Sequence, residues 1–194
     1  MKKELLYFTF SNIPCLTTER LVLRKLKVSD AQDMFEYSNR CDVTKYLTWY
    51  PHPDLGYTEE YLRYIGQRYA TGDFYDWAVT LKENGKMIGT CGFTRFDLPN
   101  NSAEIGYVLN PFYHGKGYAT EAANEVMRFG FEKLKLHRIE AKHMVGNSAS
   151  HRVMEKLGMR EEGTFRESYY VHREYKTVTV CSILENEYFN LRRK

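Results

Sequence analysis

The chain lacks any sustained apolar run. No stretch of its 194 residues approaches the roughly 20 apolar residues of a membrane span, and the start MKKELLYFTF has no run of signal-peptide length. Paired cysteines are also missing: Cys15, Cys41, Cys91 and Cys181 are far apart with no CxxC, so they read as free thiols of a reducing compartment. The six histidines show no HExxH or paired-ligand spacing, which argues against a metal site. There is no Gly-x-x-x-x-Gly-Lys-Ser/Thr, because Lys116 is followed by Gly117, so a P-loop is excluded. A net charge of +3 is too small to argue for nucleic acid, and the 16 tyrosines are scattered rather than interleaved with a basic stripe. No repeat, linker or low-complexity segment divides the chain. The expectation is one cytoplasmic domain over residues 1–194, core about 15–190, with neither a membrane nor a nucleic-acid partner.

Hydrophobic residues make up 43% of the chain, enough for a globular core. Residues 1–14 carry no strong pattern and are expected on the surface. Thr18 to Arg24 alternates apolar and charged side chains, which predicts a strand near 20–26. Ser29 or Asp30 caps a helix that fades near Asn39. Residues 41–57, with Trp49, Tyr50, Pro51, Pro53 and Gly56, read as a loop. A helix then opens at Thr58-Glu59-Glu60 and ends at Thr71-Gly72. Asn84-Gly85 signals a hairpin between strands 76–81 and 87–96. Beyond it the pattern gives a strand at 103–109, a helix at 118–134, a strand at 137–144, a helix from the Asn147 cap to Leu157-Gly158, and final strands at 160–170 and 175–184. The sum is α+β: one mixed, mainly antiparallel sheet with a parallel crossover around the long helix.

The stretch AEIGYVLNPFYHGKGYATE, residues 103–121, organises the rest. A strand stops at Asn110-Pro111, and His114-Gly115-Lys116-Gly117 turns into a helix at Tyr118. Such a turn lets backbone approach a phosphate, and the helix N-terminus favours negative charge. By itself the motif implies an anion site.

Residues His114 to Ala119 resemble the (Gln/Arg)-x-x-Gly-x-(Gly/Ala) acyl-CoA signature of the GCN5-related N-acetyltransferases (GNAT), with Gly117 and Ala119 in the last two fixed positions and His114 departing from the usual Gln or Arg. Gly115 to Ala122 is closer still to the RimJ/RimL-type ribosomal-protein acetyltransferase branch. Thr18 to Arg24, Asn147-Ser148-Ala149-Ser150 and Glu155 to Met159 match that branch in order.

The resemblance implies a GNAT fold with the parallel strands 103–109 and 137–144 splayed apart and pantetheine in the gap. Backbone amides of Gly115, Gly117, Tyr118 and Ala119 would hold the pyrophosphate, with His114 in the same turn. Asn147 would bond the pantetheine arm, and Lys116, Arg152 and Lys156 are candidates for CoA phosphates. Transfer needs a proton acceptor, an oxyanion donor and help for the leaving thiolate. Glu104 stands where many relatives carry their base, although its parity is opposite to Ile105, Tyr107 and Leu109 and a bulge could exchange the faces. The amide of Tyr107 or Val108 would serve the oxyanion. Met154 occupies the place of the common tyrosine acid, so either Ser150 is the substitute or the thiolate, with a pKa of about 8.5, departs unaided.

The implied activity is direct acetyl transfer from acetyl-CoA to a primary amine, on a protein N-terminus or a small molecule, with no metal. The alternative is a non-catalytic acyl-CoA sensor. Trp49, Tyr50 and Trp77 could line the acceptor pocket, and the 41–57 loop and the turn at Tyr169 to His172 shape the choice of acceptor. A homodimer is compatible with the family.

Overall fold

The computed structural model describes residues 3–192. Its strands are β1 (Leu16–Thr17), β2 (Leu21–Arg24), β3 (Asp76–Leu81), β4 (Met87–Asp97), β5 (Ser102–Leu109), β6 (Arg138–Met144), β7 (Arg160–Val171) and β8 (Glu174–Leu184). They form one sheet in the order β1-β2-β3-β4-β5-β6-β8-β7. Helices α1 (Lys3–Ser11), α2 (Ala31–Ser38), α3 (Cys41–Thr44), α4 (Leu55–Ala70), α5 (Tyr118–Glu132), α6 (Ser148–Lys156) and α7 (Glu185–Leu191) flank it. Among the described residues, no helix is long and apolar enough to cross a membrane.

Every neighbouring pair of strands is antiparallel except β5 and β6. That pair is joined only at Ser102–Arg138, Ala103–Ile139 and Glu104–Glu140. Past Glu104, β5 stays paired with β4 as far as Leu109, while β6 stays paired with β8 as far as Met144. The two strands therefore part at Glu104, as the resemblance implied.

The sheet buries both faces. On one, Trp77, Val79, Ile105 and Ile139 pack with Ala122, Ala123, Val126 and Phe129 of α5. A Cβ on Gly130 would come within 2.9 Å of Ile139 Cδ1, so α5 needs its small residues to seat this closely. On the other face, Ala78 and Met87 meet Met34 and Tyr37 of α2 and Leu62, Ile65 and Tyr69 of α4. The question of the Glu104 face resolves here. The bulge lies on β4, where the register shifts between Phe93 and Arg95, and β5 alternates without interruption. Glu104, Gly106 and Val108 thus share the α2/α4 side, opposite Ile105.

Five expectations need correction. Residues 3–11 form a helix, and its Leu6 and Phe10, four apart and so on one face, enter the core. Phe10 meets Tyr75, Trp77, Phe96 and Phe129 edge-on or tilted, a partnership no local pattern reveals. Helix α4 begins at Leu55 rather than Thr58, because Asp54 accepts the Tyr57 amide at 2.8 Å as its N-cap. The loop at 41–57 contains the short α3, and β8 is followed by α7, whose Tyr188 is buried. Asp30 precedes α2 but does not cap it; its carboxylate takes the Lys27 amide and the Arg24 guanidinium instead.

Candidate active site

The glycine turn is built as its residue types require. Pro111–Tyr113 is a 3-10 turn, and His114 Nε2 reaches back to the Leu109 carbonyl at 2.9 Å, so this ring donates to the end of β5. Gly115 and Gly117 have φ of 76° and 83°, the left-handed region that glycine enters without a Cβ penalty. Helix α5 starts immediately after Gly117.

The segment Thr18 to Arg24 is joined to this turn. Arg20 donates to the Lys116 carbonyl at 3.0 Å, and its guanidinium lies 4.4 Å from the centre of the Tyr118 ring. Glu121, in the first turn of α5, accepts from Thr18 Oγ1 at 2.6 Å, from the Arg20 amide at 2.9 Å and from Arg20 Nε at 2.7 Å. Burial pushes the Glu121 carboxyl upward, but these donors outweigh it and hold the pKa below the usual value. Two motifs that the sequence separates by about a hundred residues are one structural unit.

Helix α6 starts at the cap that the residue pattern gave. Asn147 caps it, its Oδ1 accepting the Ser150 amide at 3.2 Å. Tyr107 OH donates to the Ser150 carbonyl at 3.0 Å and lies 3.1 Å from Ser150 Oγ. Burial raises the Tyr107 phenol, so it stays protonated and orients this serine. Met154 is buried on the same helix and offers no proton.

Two cavities meet between β5 and β6. One, of about 480 Å³, is lined by His114, Gly115, Gly117, Tyr118, Ala119, Arg152 and Lys156. The other, of about 450 Å³, is lined by Glu104 together with Trp49, Asp73, Asp76, Lys142 and Tyr169. Tyr46, Leu47, Tyr107, Val108, Asn147 and Ser150 border both. Successive strand amides point to opposite edges, so one of the Tyr107 and Val108 N–H groups faces the gap that β6 leaves open. Lys116 does not line the groove; its carbonyl is taken by Arg20, and its ammonium lies 5.4 Å from the centre of the Tyr113 ring. Of the aromatic candidates, Trp49 lines the second cavity, Tyr50 is exposed, and Trp77 belongs to the core.

Charges in the second cavity are mostly paired. Glu104 Oε2 accepts from Lys142 Nζ at 2.6 Å, and Asp73 meets Arg68 at 3.1 Å. Burial opposes the Lys142 charge, but the Glu104 carboxylate prevails and raises its pKa. Asp76 is the exception: among the described residues it has no ion pair. Burial pushes its carboxyl up to about 7, against the pull of the Thr90 hydroxyl and the Trp77 amide. Its Oδ1 lies 2.7 Å from where a Cβ of Gly92 would stand, so the carboxylate leans over β4. Asp76, Gly92 and Gly106 are register partners across β3, β4 and β5; the space a Cβ of Gly92 would take is filled by the Tyr75 carbonyl and Asp76, and that of Gly106 by Thr94 Cγ2. Sequence reading passed over Asp76, which looks like the charged end of a buried strand; a carboxylate opening the run DWAVTL was the available signal.

Residues 20–160 match the family model for the acetyltransferase (GNAT) domain. The chain belongs to the GNAT acetyltransferase family. The uncharacterized N-acetyltransferase p20 of Bacillus licheniformis is 35% identical over 173 residues, covering 89% of this chain and 97% of that protein. The putative ribosomal N-acetyltransferase YdaF of Bacillus subtilis is 29% identical over 178 residues, 90% of this chain and 96% of YdaF, in keeping with the RimJ/RimL-type resemblance. A crystal structure of a GNAT-family acetyltransferase from Bacillus anthracis superposes with a TM-score of 0.80 at 33% identity, covering 90% of this chain and 100% of that one. The protein is an N-acetyltransferase, and its family draws the acetyl group from acetyl-CoA. An enzyme that brings two substrates together needs two adjoining binding spaces, and the two cavities here meet at shared residues.

Proposed function

We propose that this N-acetyltransferase acetylates a small primary amine that enters as a cation and is received by Asp76. The observation that carries the reading is the unpaired carboxylate in a cavity that joins the cofactor groove at Tyr107, Val108, Asn147 and Ser150. A volume of about 450 Å³ is that of a small-molecule pocket. Residues 46–49, β3, β4, β6 and β7 contribute its walls, which favours a compact acceptor over a long peptide.

Acetyl-CoA supplies the activated thioester. The amides of Gly115, Gly117, Tyr118 and Ala119 and the Arg152 and Lys156 side chains would hold its phosphates, and Asn147 the pantetheine arm. The Tyr107 or Val108 amide that faces the gap donates to the carbonyl oxygen as its charge grows. Asp76 takes the proton that the amine must lose, and a pKa of about 7 suits a base at neutral pH. Glu104 and Lys142 line the same cavity as an ion pair. Ser150, oriented by Tyr107, donates to the departing sulfur.

The test is thiol release across amino acids, polyamines, aminoglycosides and short peptides with free N-termini. Small cationic amines should turn over at least tenfold better than peptides. Preferential turnover of peptide N-termini would overturn the choice of acceptor. Tight CoA binding without turnover of any amine would favour the sensor reading.

A further inference from the structure

Beside the cavity, three groups from three different elements converge. One ring nitrogen of His143 on β6, one of His151 on α6 and the sulfur of Cys181 on β8 lie within 4.8 Å of one another. The two imidazole rings are 5.1 Å apart between centres. His143 Nδ1 is 3.2 Å from the Met144 carbonyl, which can only accept, so in the neutral ring Nε2 keeps its lone pair. His151 Nε2 faces the Glu155 carboxylate at 3.6 Å, which favours the proton there and leaves the lone pair on Nδ1. The two left-over nitrogens, His143 Nε2 and His151 Nδ1, are buried without a hydrogen-bond partner. Two buried acceptors with only a weakly donating thiol beside them are costly unless a cation joins them.

We propose that His143, His151 and Cys181 form a binding site for one zinc-type divalent cation. Two imidazoles and a thiolate are the donor set that zinc prefers, and three protein ligands leave a fourth position open. The carbonyl and carboxylate behind the rings are the outer partners that fix metal-binding histidines in their ligating tautomer. Coordination balances as the metal ion plus the Cys181 thiol giving the metal thiolate and one released proton. His143 also lines the acceptor cavity, which supplies an entry path. Bound there, the ion ties α6, the helix of Ser150, to β6 and β8. The sequence hides the set because its members are spaced for three elements rather than for one ligand motif.

Cobalt titration of the purified protein tests this. One equivalent should bind with a thiolate-to-cobalt charge-transfer band, zinc should displace it, and zinc should raise the melting temperature. Cys181→Ser should abolish the band. His151→Gln, on a partly exposed helix face, should weaken binding at least tenfold while the circular dichroism stays unchanged. The proposal fails if no band appears. It also fails if the band survives in Cys181→Ser and disappears when the exposed Cys15 and Cys41 are replaced by serine.

Discussion

Glu104 and Lys142 meet at 2.6 Å across the line where β5 and β6 separate. The carboxylate that the resemblance offered as the base is thereby held by a cation in the wall of the cavity it shares with Asp76. Glu104→Gln should lower kcat/KM by about tenfold, near 1.4 kcal/mol in the barrier, without moving the midpoint of the pH profile. A loss of a thousandfold or more with a flattened profile would return the proton acceptor to Glu104.

Asp76 makes the opposite prediction. Its activity contribution should rise with pH through about 7 as the carboxyl ionises, and Asp76→Asn should remove that rise together with a hundredfold or more of kcat/KM. Stability should move the other way. The folded state binds this proton more tightly than the unfolded chain, so wild-type stability is lost as pH climbs from the ordinary carboxyl range to about 7, and the deficit is then constant. Melting curves at pH 8 should show Asp76→Asn more stable by on the order of 4 kcal/mol, with the advantage vanishing near pH 4. An advantage independent of pH would sink the assignment.

Ser150 and Tyr107 should act on the leaving group in series. Ser150→Ala is expected to lower kcat by about tenfold with little change in the KM for acetyl-CoA. Tyr107→Phe should have a smaller effect of the same kind, and the double variant should be no worse than Ser150→Ala. Additive losses would mean that the phenol has its own contact with the reacting atoms.

Gly117→Ala tests the turn. A Cβ there would meet Arg20 at an ordinary 3.5 Å, so crowding is not the issue; the φ of 83° is. The cost should be about 1–2 kcal/mol of stability, with weaker CoA binding by calorimetry. Gly92→Ala should be worse, because its Cβ would lie 2.3 Å from the Tyr75 carbonyl and would also displace the Asp76 carboxylate.

Much of this molecule is legible in the chain because it rests on local rules. The Asn84-Gly85 hairpin, the alternation of 103–109, the two glycines of the turn and the Asn147 cap are each dictated by a few adjacent residues, and the resemblance set them in family order. What the sequence determined was the fold, the glycine turn that opens α5 and the class of chemistry. Tertiary structure alone decided that Phe10 enters the core, that Glu104 is paired with Lys142, that Asp76 stands unpaired in the cavity, and that His143, His151 and Cys181 converge. The physical reason is common to all four. Burial, ion pairing and ligand geometry depend on which distant segments the sheet brings side by side, and the residues spaced along the chain carry no trace of that distance.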